Sequence, residues 1–171
     1  MKHVFLSLIF VALSALISPA HTAEGQLIKV ENAYVLATSP VQKNGAAFMS
    51  IQNLSQKDLK ILSVEADVAE RVEMHTHAMD GDIMMMREVE SFDIPAEGVA
   101  MLKPMGDHIM FMGLKAPLEA GTTTFLTLTL GDESEIGVEV PVVLPADAPA
   151  MDMHHGHNHG HNHGHHEGHA H

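Results

Sequence analysis

Residues 108–112 read His-Ile-Met-Phe-Met, so that apolar Ile109 and Phe111 alternate with three possible metal ligands, His108, Met110 and Met112. Successive side chains of a β-strand point to opposite faces of the sheet. The stretch therefore predicts a strand with one packing face and one face of nitrogen and sulfur donors. Donors two residues apart on such a face are separated by about 7 Å at their Cα atoms, close enough to converge on one ion.

The rest of the body has the same β character. No window of helical length shows an amphipathic period of 3.6, and clusters of Asn, Asp, Gly and Pro separate the β-rich stretches. Strands at this spacing predict an all-β domain, either a two-sheet sandwich or a Greek-key barrel. We expect about nine short strands, at Leu27–Leu36, Ala46–Leu54, Leu59–Ala66, Val72–His77, Ile83–Val89, Val99–Lys103, His108–Leu114, Thr122–Leu130 and Ile136–Leu144.

The amino-terminal segment is typical of export. It has a basic start at Met1-Lys2-His3, an apolar run over residues 4–17 and small residues at Ser18-Pro19-Ala20. We expect a signal peptide at residues 1–20, with cleavage after Ala23 as the later alternative. The apolar run is shorter than the ~20 residues that a transmembrane helix needs. The mature protein is therefore predicted to be periplasmic, without a membrane span.

Residues 147–171 form a low-complexity tail, which leaves residues 24–146 as the β domain. Ten of the fifteen histidines lie in the tail, and His-Asn-His-Gly occurs there twice in succession. The tail has no apolar periodicity, so we expect it to be disordered without metal. Imidazole suits both Cu(II) and Zn(II). The tail ligands for these ions are predicted to be Met151, Met153, His154, His155, His157, His159, His161, His163, His165, His166, His169 and His171.

The composition narrows the chemistry of the domain. The 171 residues include no Cys, 13 Met and only nine Lys and Arg, with a formal net charge of −13. Nucleic-acid binding is excluded because no basic patch exists to displace counterions. A blue-copper electron carrier needs a Cys beside two His, so that role is excluded too. Thioether sulfur prefers Cu(I) and imidazole accepts either oxidation state of copper, so a mixed His and Met set favours copper.

Four residues of the domain are spaced as one ligand set. His75 is followed by ten residues and Met86, then by twenty-one residues and the pair His108 and Met110. A single Met in a strand is usually a packing residue, but the combination on predicted strands indicates a Cu(I) site. Secondary candidates on the same predicted faces are His77, Met84 and Met112.

This spacing resembles that of the PCuAC family of periplasmic copper chaperones. The resemblance runs from Val72-Glu73-Met74-His75 to Leu126-Thr127-Leu128, and Asn32-Ala33-Tyr34 and residues 45–53 also fit the family's opening strands. The family's motif of His (or Met), ten residues, Met, twenty-one residues and His-x-Met is matched without a gap. The resemblance implies a cupredoxin-like β-sandwich that carries Cu(I) toward the copper centres of haem–copper oxidases, notably the dinuclear centre of subunit II.

The resemblance also implies that the protein is not an enzyme. Its partner would be a copper-accepting oxidase subunit or another copper chaperone, and we expect a monomer. One alternative is a general periplasmic buffer for copper and zinc, dominated by the tail. The other is a metalloenzyme whose ion is held by His75, His77, His108 and the amino-terminal His21, although no partner base or nucleophile stands at a recognisable spacing.

Overall fold

A computed structural model describes residues 27–149, which form ten β-strands and one short 3-10 helix. The all-β prediction is confirmed, whereas the predicted signal peptide and residues 150–171 of the tail lie outside the described residues. The elements are β1 (Ile28–Leu36), β2 (Asn44–Asn53), β3 (Leu59–Glu65), β4 (Ala69–Asp80), β5 (Ile83–Glu88), β6 (Phe92–Ile94), β7 (Val99–Leu102), β8 (His108–Leu114), β9 (Thr123–Leu130), β10 (Glu135–Val143) and the 3-10 helix Pro145–Asp147. Within residues 27–149 no helix has the length and apolar character to cross a membrane.

All nine predicted strands form, and the structure adds a tenth. Strand β6 is only three residues long, and its buried Phe92 and Ile94 flank exposed Asp93. Three residues are too few for alternation to be recognised in a sequence. Strand β4 is also longer than predicted, since it begins at Ala69 and ends at Asp80.

The strands belong to one continuous sheet that folds over on itself. Their order is β5-β4-β8-β2-β1-β10-β9-β3-β6, and β7 also pairs with β2. Strands β1 and β10 are parallel, and the other strand pairs are antiparallel. The fold brings β3 near β4 and β6 near β7. Side chains from both halves of the sheet fill the single core, among them fully buried Met49, Ile109, Phe111, Leu128 and Val140.

The hairpin of β4 and β5 forms one edge of this sheet. Asp80 pairs with Ile83, which leaves Gly81 and Asp82 as a two-residue turn. Gly81 has a φ of 63°, and two-residue hairpin turns require such a left-handed conformation at their first central position. The turn fixes the register of β5 on β4. Every residue of β5 is exposed, including Met86.

The side chain of Asn53 ties the end of β2 to the end of β6. It is 1% exposed, and its Nδ2 donates to the carbonyl oxygens of Lys57 at 2.7 Å, Ile94 at 3.1 Å and Pro95 at 3.1 Å. Its Oδ1 accepts from the backbone N of Ser55 at 2.9 Å and from the Ser55 hydroxyl at 2.8 Å. One side-chain amide therefore provides hydrogen-bond partners for several backbone groups at the point where β6 closes over the core.

We predict that Asn53→Ala lowers the free energy of unfolding by about 2–3 kcal/mol, because it leaves buried carbonyl groups without donors. Urea denaturation measures this difference. Asn44→Ala, at the exposed opposite end of the same strand, is the matched control and should change stability by less than about 0.5 kcal/mol. Equal losses in the two variants would contradict the role assigned to the Asn53 amide.

Candidate metal centre

The register of β4 brings four of the candidate ligands to one face of the sheet. His75 lies directly opposite His108 of β8, and His77 lies directly opposite Met86 of β5. Residues directly opposite in an antiparallel pair point to the same face, as do residues two apart on one strand. The ring centroid of His108 is accordingly 5.8 Å from that of His75 and 5.1 Å from that of His77.

Met110 lies on the same face as these residues, two positions after His108 on β8. It lies directly opposite Glu73 of β4 and Ala46 of β2, and it is half-buried. Its neighbours Ile109 and Phe111 are fully buried in the core. The predicted division of β8 into a packing face and a donor face is therefore present.

The secondary candidates differ in how near they lie to the imidazoles. His77 is within the cluster, since its ring is the nearer of the two His rings to His108. Met112 lies farther along β8, opposite Arg71 and Asn44. Met84 lies toward the hairpin turn, where it is opposite Met79. The structure thus brings His77 to the centre and leaves Met84 and Met112 at its two flanks.

The carbonyl oxygen of Gly106 anchors two of the imidazoles. It lies 2.8 Å from Nδ1 of His108 and 3.3 Å from Nδ1 of His77. A carbonyl oxygen only accepts, so each Nδ1 must carry a proton and donate it. In a neutral imidazole the other nitrogen, Nε2, then has a free lone pair.

A turn holds this carbonyl in place. Residues 103–106 form a β-turn in which the backbone N of Gly106 donates to the carbonyl of Lys103 at 3.0 Å, and Pro104 occupies the second position. Met105 has a φ of 63° at the third position, where a type II turn needs positive φ and usually has Gly. The backbone N of Lys103 also donates to the carbonyl of Asp107 at 2.7 Å, which closes the loop next to β8.

His75 is anchored by a carboxylate. Its Nε2 lies 2.7 Å from Oε2 of Glu73, and Arg71 pairs with the other oxygen of the same carboxylate. Within residues 27–149, Nδ1 of His75 is buried and has no hydrogen-bond partner. Buried polar atoms are nearly always paired, so this nitrogen carries a lone pair that is available to a ligand. A carboxylate on the second ring nitrogen is also the usual support of a metal-binding His.

Met86 and His108 also have lone pairs without a hydrogen-bond donor. Nε2 of His108 is 3.2 Å from Sδ of Met86. With the Nδ1 proton directed at Gly106, the two atoms that face each other both bear lone pairs and neither is a good donor. A soft cation between them would satisfy both, because thioether and imidazole are each ligands for copper.

Burial disfavours the charged form of His108. His108 is 4% exposed and His75 is 8% exposed. Desolvation lowers the pKa of His108 below its ordinary 6.5, and the charges of His77 and His75 lower that pKa further, while the bond to Gly106 and the charge of Asp107 act in the opposite direction. The hydrogen bond from His75 lowers the pKa of Glu73, a shift that Arg71 reinforces and desolvation opposes.

Aromatic rings close the side of the cluster toward β2. The ring of Phe48 lies 6.3 Å from that of His108, and the ring of Tyr34 lies 5.2 Å from that of Phe48. Both aromatic residues are buried, at 5% and 2% exposure. The ring of Phe48 therefore covers His108 on the β2 side and contributes to its burial.

Sequence reasoning missed three of these supporting groups. Glu73 is two residues before His75, and a carboxylate two residues from a predicted His ligand is a usable signal, since the two side chains share a strand face. The carbonyl of Gly106 and the ring of Phe48 carried no such signal. Gly106 acts through its backbone, and Phe48 is far from His108 in the sequence.

The three imidazoles do not form a metal site by themselves. No group of three or more His, Asp or Glu side chains among the described residues is positioned to hold an ion. The proposed fourth nitrogen ligand, His21, lies outside the described residues.

Sequence comparisons identify relatives of the chain. Residues 28–142 match the family model described as "Putative lipoprotein LpqE-like". The protein named "Putative lipoprotein Lxx21020" of Leifsonia xyli subsp. xyli is 35% identical over 126 residues, which are 73% of this chain and 74% of that protein.

Solved structures share the fold. The copper-bound PCuAC domain from PmoF2 matches with a TM-score of 0.61 at 17% identity, over 70% of this chain and 95% of that domain. The apo form of DR1885 from Deinococcus radiodurans matches with a TM-score of 0.58 at 29% identity, over 87% of this chain and all of that one. Its Cu(I) form matches with a TM-score of 0.57 at 32% identity, over 74% and 86%. The predicted cupredoxin-like fold of the PCuAC domain is confirmed.

We predict that the metal-free protein loses stability as the pH falls below 6.5. The unfolded chain binds a proton at His108 near its ordinary pKa of about 6.5, whereas the folded chain, whose pKa at this residue is lowered, does not. The contribution of neutral His108 to the free energy of unfolding is therefore full above this pH. It declines as the pH falls toward the folded pKa, with a slope of at most about 1.4 kcal/mol per pH unit.

Urea denaturation of chelator-treated protein at several pH values measures the slope. His108→Gln keeps a donor for the Gly106 carbonyl and removes the titration, so its slope should be shallower over the same range. The contributions of titratable groups remote from residue 108 cancel in the comparison. Identical slopes for the two proteins would show that the folded state does not depress the pKa of His108.

Proposed function

The chain belongs to the "Putative lipoprotein LpqE-like" family, and from that membership and the geometry of its His and Met side chains we propose that it is an exported copper chaperone. It binds one Cu(I) ion and passes the ion to an acceptor protein. Copper is cargo in this proposal, and no bond of a substrate is made or broken. The predicted signal peptide and the lipoprotein relative support a periplasmic location.

The contact between His108 and Met86 carries the proposal. Their Nε2 and Sδ atoms lie 3.2 Å apart, and the proton of the imidazole is held on the other side of the ring by Gly106. A nitrogen lone pair and a sulfur lone pair that face each other in a half-buried site match the preference of Cu(I) for soft, neutral donors. Zinc and magnesium would favour harder ligand sets.

We assign the ligands as His75, Met86, His108 and Met110. The unpaired Nδ1 of His75 offers a second nitrogen, and Met110 offers a second sulfur on the same face. His77 is the nearest reserve ligand, because its ring adjoins His108 while its Nδ1 is held by Gly106. With His77 as a reserve ligand, the ion can gain a new donor while one of the four assigned ligands dissociates.

This ligand set suits transfer as well as storage. Thioethers bind without losing a proton, and Met86 is 46% exposed on an edge strand, so an incoming acceptor ligand can replace it first. The anchored imidazoles retain the ion until that exchange is complete. The solved Cu(I) form of DR1885 supports the choice of oxidation state.

The acceptor in this proposal is the copper site of a haem–copper oxidase subunit, or another copper chaperone that serves it. The resemblance of the motif to PCuAC copper chaperones supports this choice of recipient. A metalloenzyme with nitrogen ligands alone is disfavoured, since the described His, Asp and Glu side chains form no group that could hold an ion.

We further propose that the tail recruits Cu(II) or Zn(II) independently of the body. Ten histidines follow residue 150, and imidazole is a good ligand for both ions. Because the tail directly follows the domain in the sequence, copper recruited there would be near the domain at a high effective concentration. A buffer dominated by the tail remains the second candidate function, and the tail itself provides the test.

We predict that Met86→Leu and Met110→Leu each weaken Cu(I) binding by about 10- to 100-fold, the range found when a supporting group of a metal site is lost. Leu preserves size and apolar character, so folding should survive. Competition with a Cu(I) chelator measures the affinity. Met112→Leu, on the same strand face but opposite Arg71, is the matched control and should bind as the wild type does. Unchanged affinity in Met110→Leu would remove that residue from the site.

We predict that removal of residues 151–171 abolishes most Cu(II) binding and leaves one Cu(I) per body. Equilibrium dialysis with each ion separately gives the two stoichiometries. Full Cu(II) capacity after truncation would refute the role of the tail, and loss of the Cu(I) ion would favour the buffer over the chaperone.

A further inference from the structure

The exposed methionines of the described chain are not scattered. All five of them lie at one end of the molecule, on the β4–β5 hairpin and the turn before β8: Met79, Met84, Met85, Met86 and Met105, at 59%, 48%, 44%, 46% and 65% exposure. The other described methionines are buried or half-buried. An exposed Met gains little from packing, and Met is not among the residues enriched in strands, so this concentration needs another cause.

Two of these methionines form a cross-strand pair. Met79 of β4 lies directly opposite Met84 of β5, and such pairs place their Cβ atoms about 4.5–5.5 Å apart. The pair shares a strand face with the pair of His77 and Met86, which lies two residues farther from the turn on each strand. The Met79–Met84 pair therefore lies on the solvent side of the candidate metal centre and in line with it.

The turn at residues 103–106 supplies a third thioether. His75 pairs with His108, and His77 contacts the Gly106 carbonyl, so the turn lies next to β4 at His77, two residues before Met79. Met105 holds a left-handed φ of 63° and is the most exposed methionine among residues 27–149. Large side chains seldom adopt that conformation.

We propose that Met79, Met84 and Met105 form an outer Cu(I) site, distinct from the His and Met centre, in which three thioethers and no nitrogen hold the ion. Thioether sulfur selects Cu(I) over harder cations. Asp82 lies in the hairpin turn that follows Met79 and Asp80, and its carboxylate favours the approach of a cation. The outer site receives Cu(I) at the solvent edge and delivers it through Met86 to His108.

The order of binding follows from the donors. The inner centre combines anchored imidazoles with sulfur and fills first, while the outer site has exposed thioethers alone and fills with the second equivalent. Delivery is an exchange of neutral ligands on one closed-shell ion, so it needs neither a proton nor an electron. The outer site does not depend on the identity of the inner ligands, which allows the two proposals to fail separately.

Cu(I) titration of the full chain, with isotopically labelled methionine methyl groups followed by NMR under anaerobic conditions, tests the proposal residue by residue. The methyl signals of Met86 and Met110 should move with the first equivalent. Those of Met79, Met84 and Met105 should move together with the second, and that of Met85 should not. Met85 is the internal control because it lies on the opposite face of β5, across from Ala78, with similar exposure.

The double variant Met79→Leu/Met84→Leu should lose the second-equivalent shift of Met105 and fill the inner centre more slowly, while the inner affinity stays unchanged. Met85→Leu should behave as the wild type does. Stationary signals from Met79 and Met84, or equal slowing in both variants, would overturn the outer site and point to a surface that acts by apolar contact. An inner centre that stays empty while the three outer signals still move would refute the proposed function and leave the outer site standing.

Discussion

The carbonyl oxygen of Gly106 is the constraint on which the candidate centre depends. It accepts a hydrogen bond from Nδ1 of His77 and from Nδ1 of His108, and it thereby orients two rings and selects one neutral tautomer for both. The carboxylate of Glu73 does the same for His75 through the other ring nitrogen. Each imidazole thus has one nitrogen committed to the protein and one lone pair to offer. The donor set is arranged before any ion arrives, which reduces the ordering cost of binding.

The sheet sets a gradient of exposure across the donors. His108 and His75 lie on the adjacent inner strands β8 and β4 at 4% and 8% exposure, whereas Met86 lies on the edge strand β5 at 46%. The nitrogen donors are therefore buried, and the sulfur of Met86 lies where a partner can reach it. An edge strand with free backbone groups is an aggregation risk for most proteins, and here the short length of β5 and its charged Arg87 and Glu88 limit that risk.

The all-β fold was predictable from the sequence because short β-rich stretches are separated by turn residues and some strands alternate strictly. Strand β9 has a buried residue at every second position from Thr124 to Leu130, and such a pattern has no helical alternative. The missed strand β6 is short, so its two buried residues form no pattern. A sandwich or barrel was predicted, but the particular contacts that close it were not, since they join residues far apart in the sequence, such as Asn53 and Ile94.

The sequence predicted which donors of the candidate site share a strand face, but not how the strands align with one another. Spacing indicates which side chains share a strand face, so His108 and Met110 could be grouped from the sequence. It does not give the register between strands, which is what sets His77 against Met86 and His75 against His108. A shift of one residue in that register would turn every donor of β5 to the opposite face. The two-residue turn at Gly81 therefore contributes as much to the centre as a ligand does, because it is the turn that fixes where the sulfur of Met86 lies.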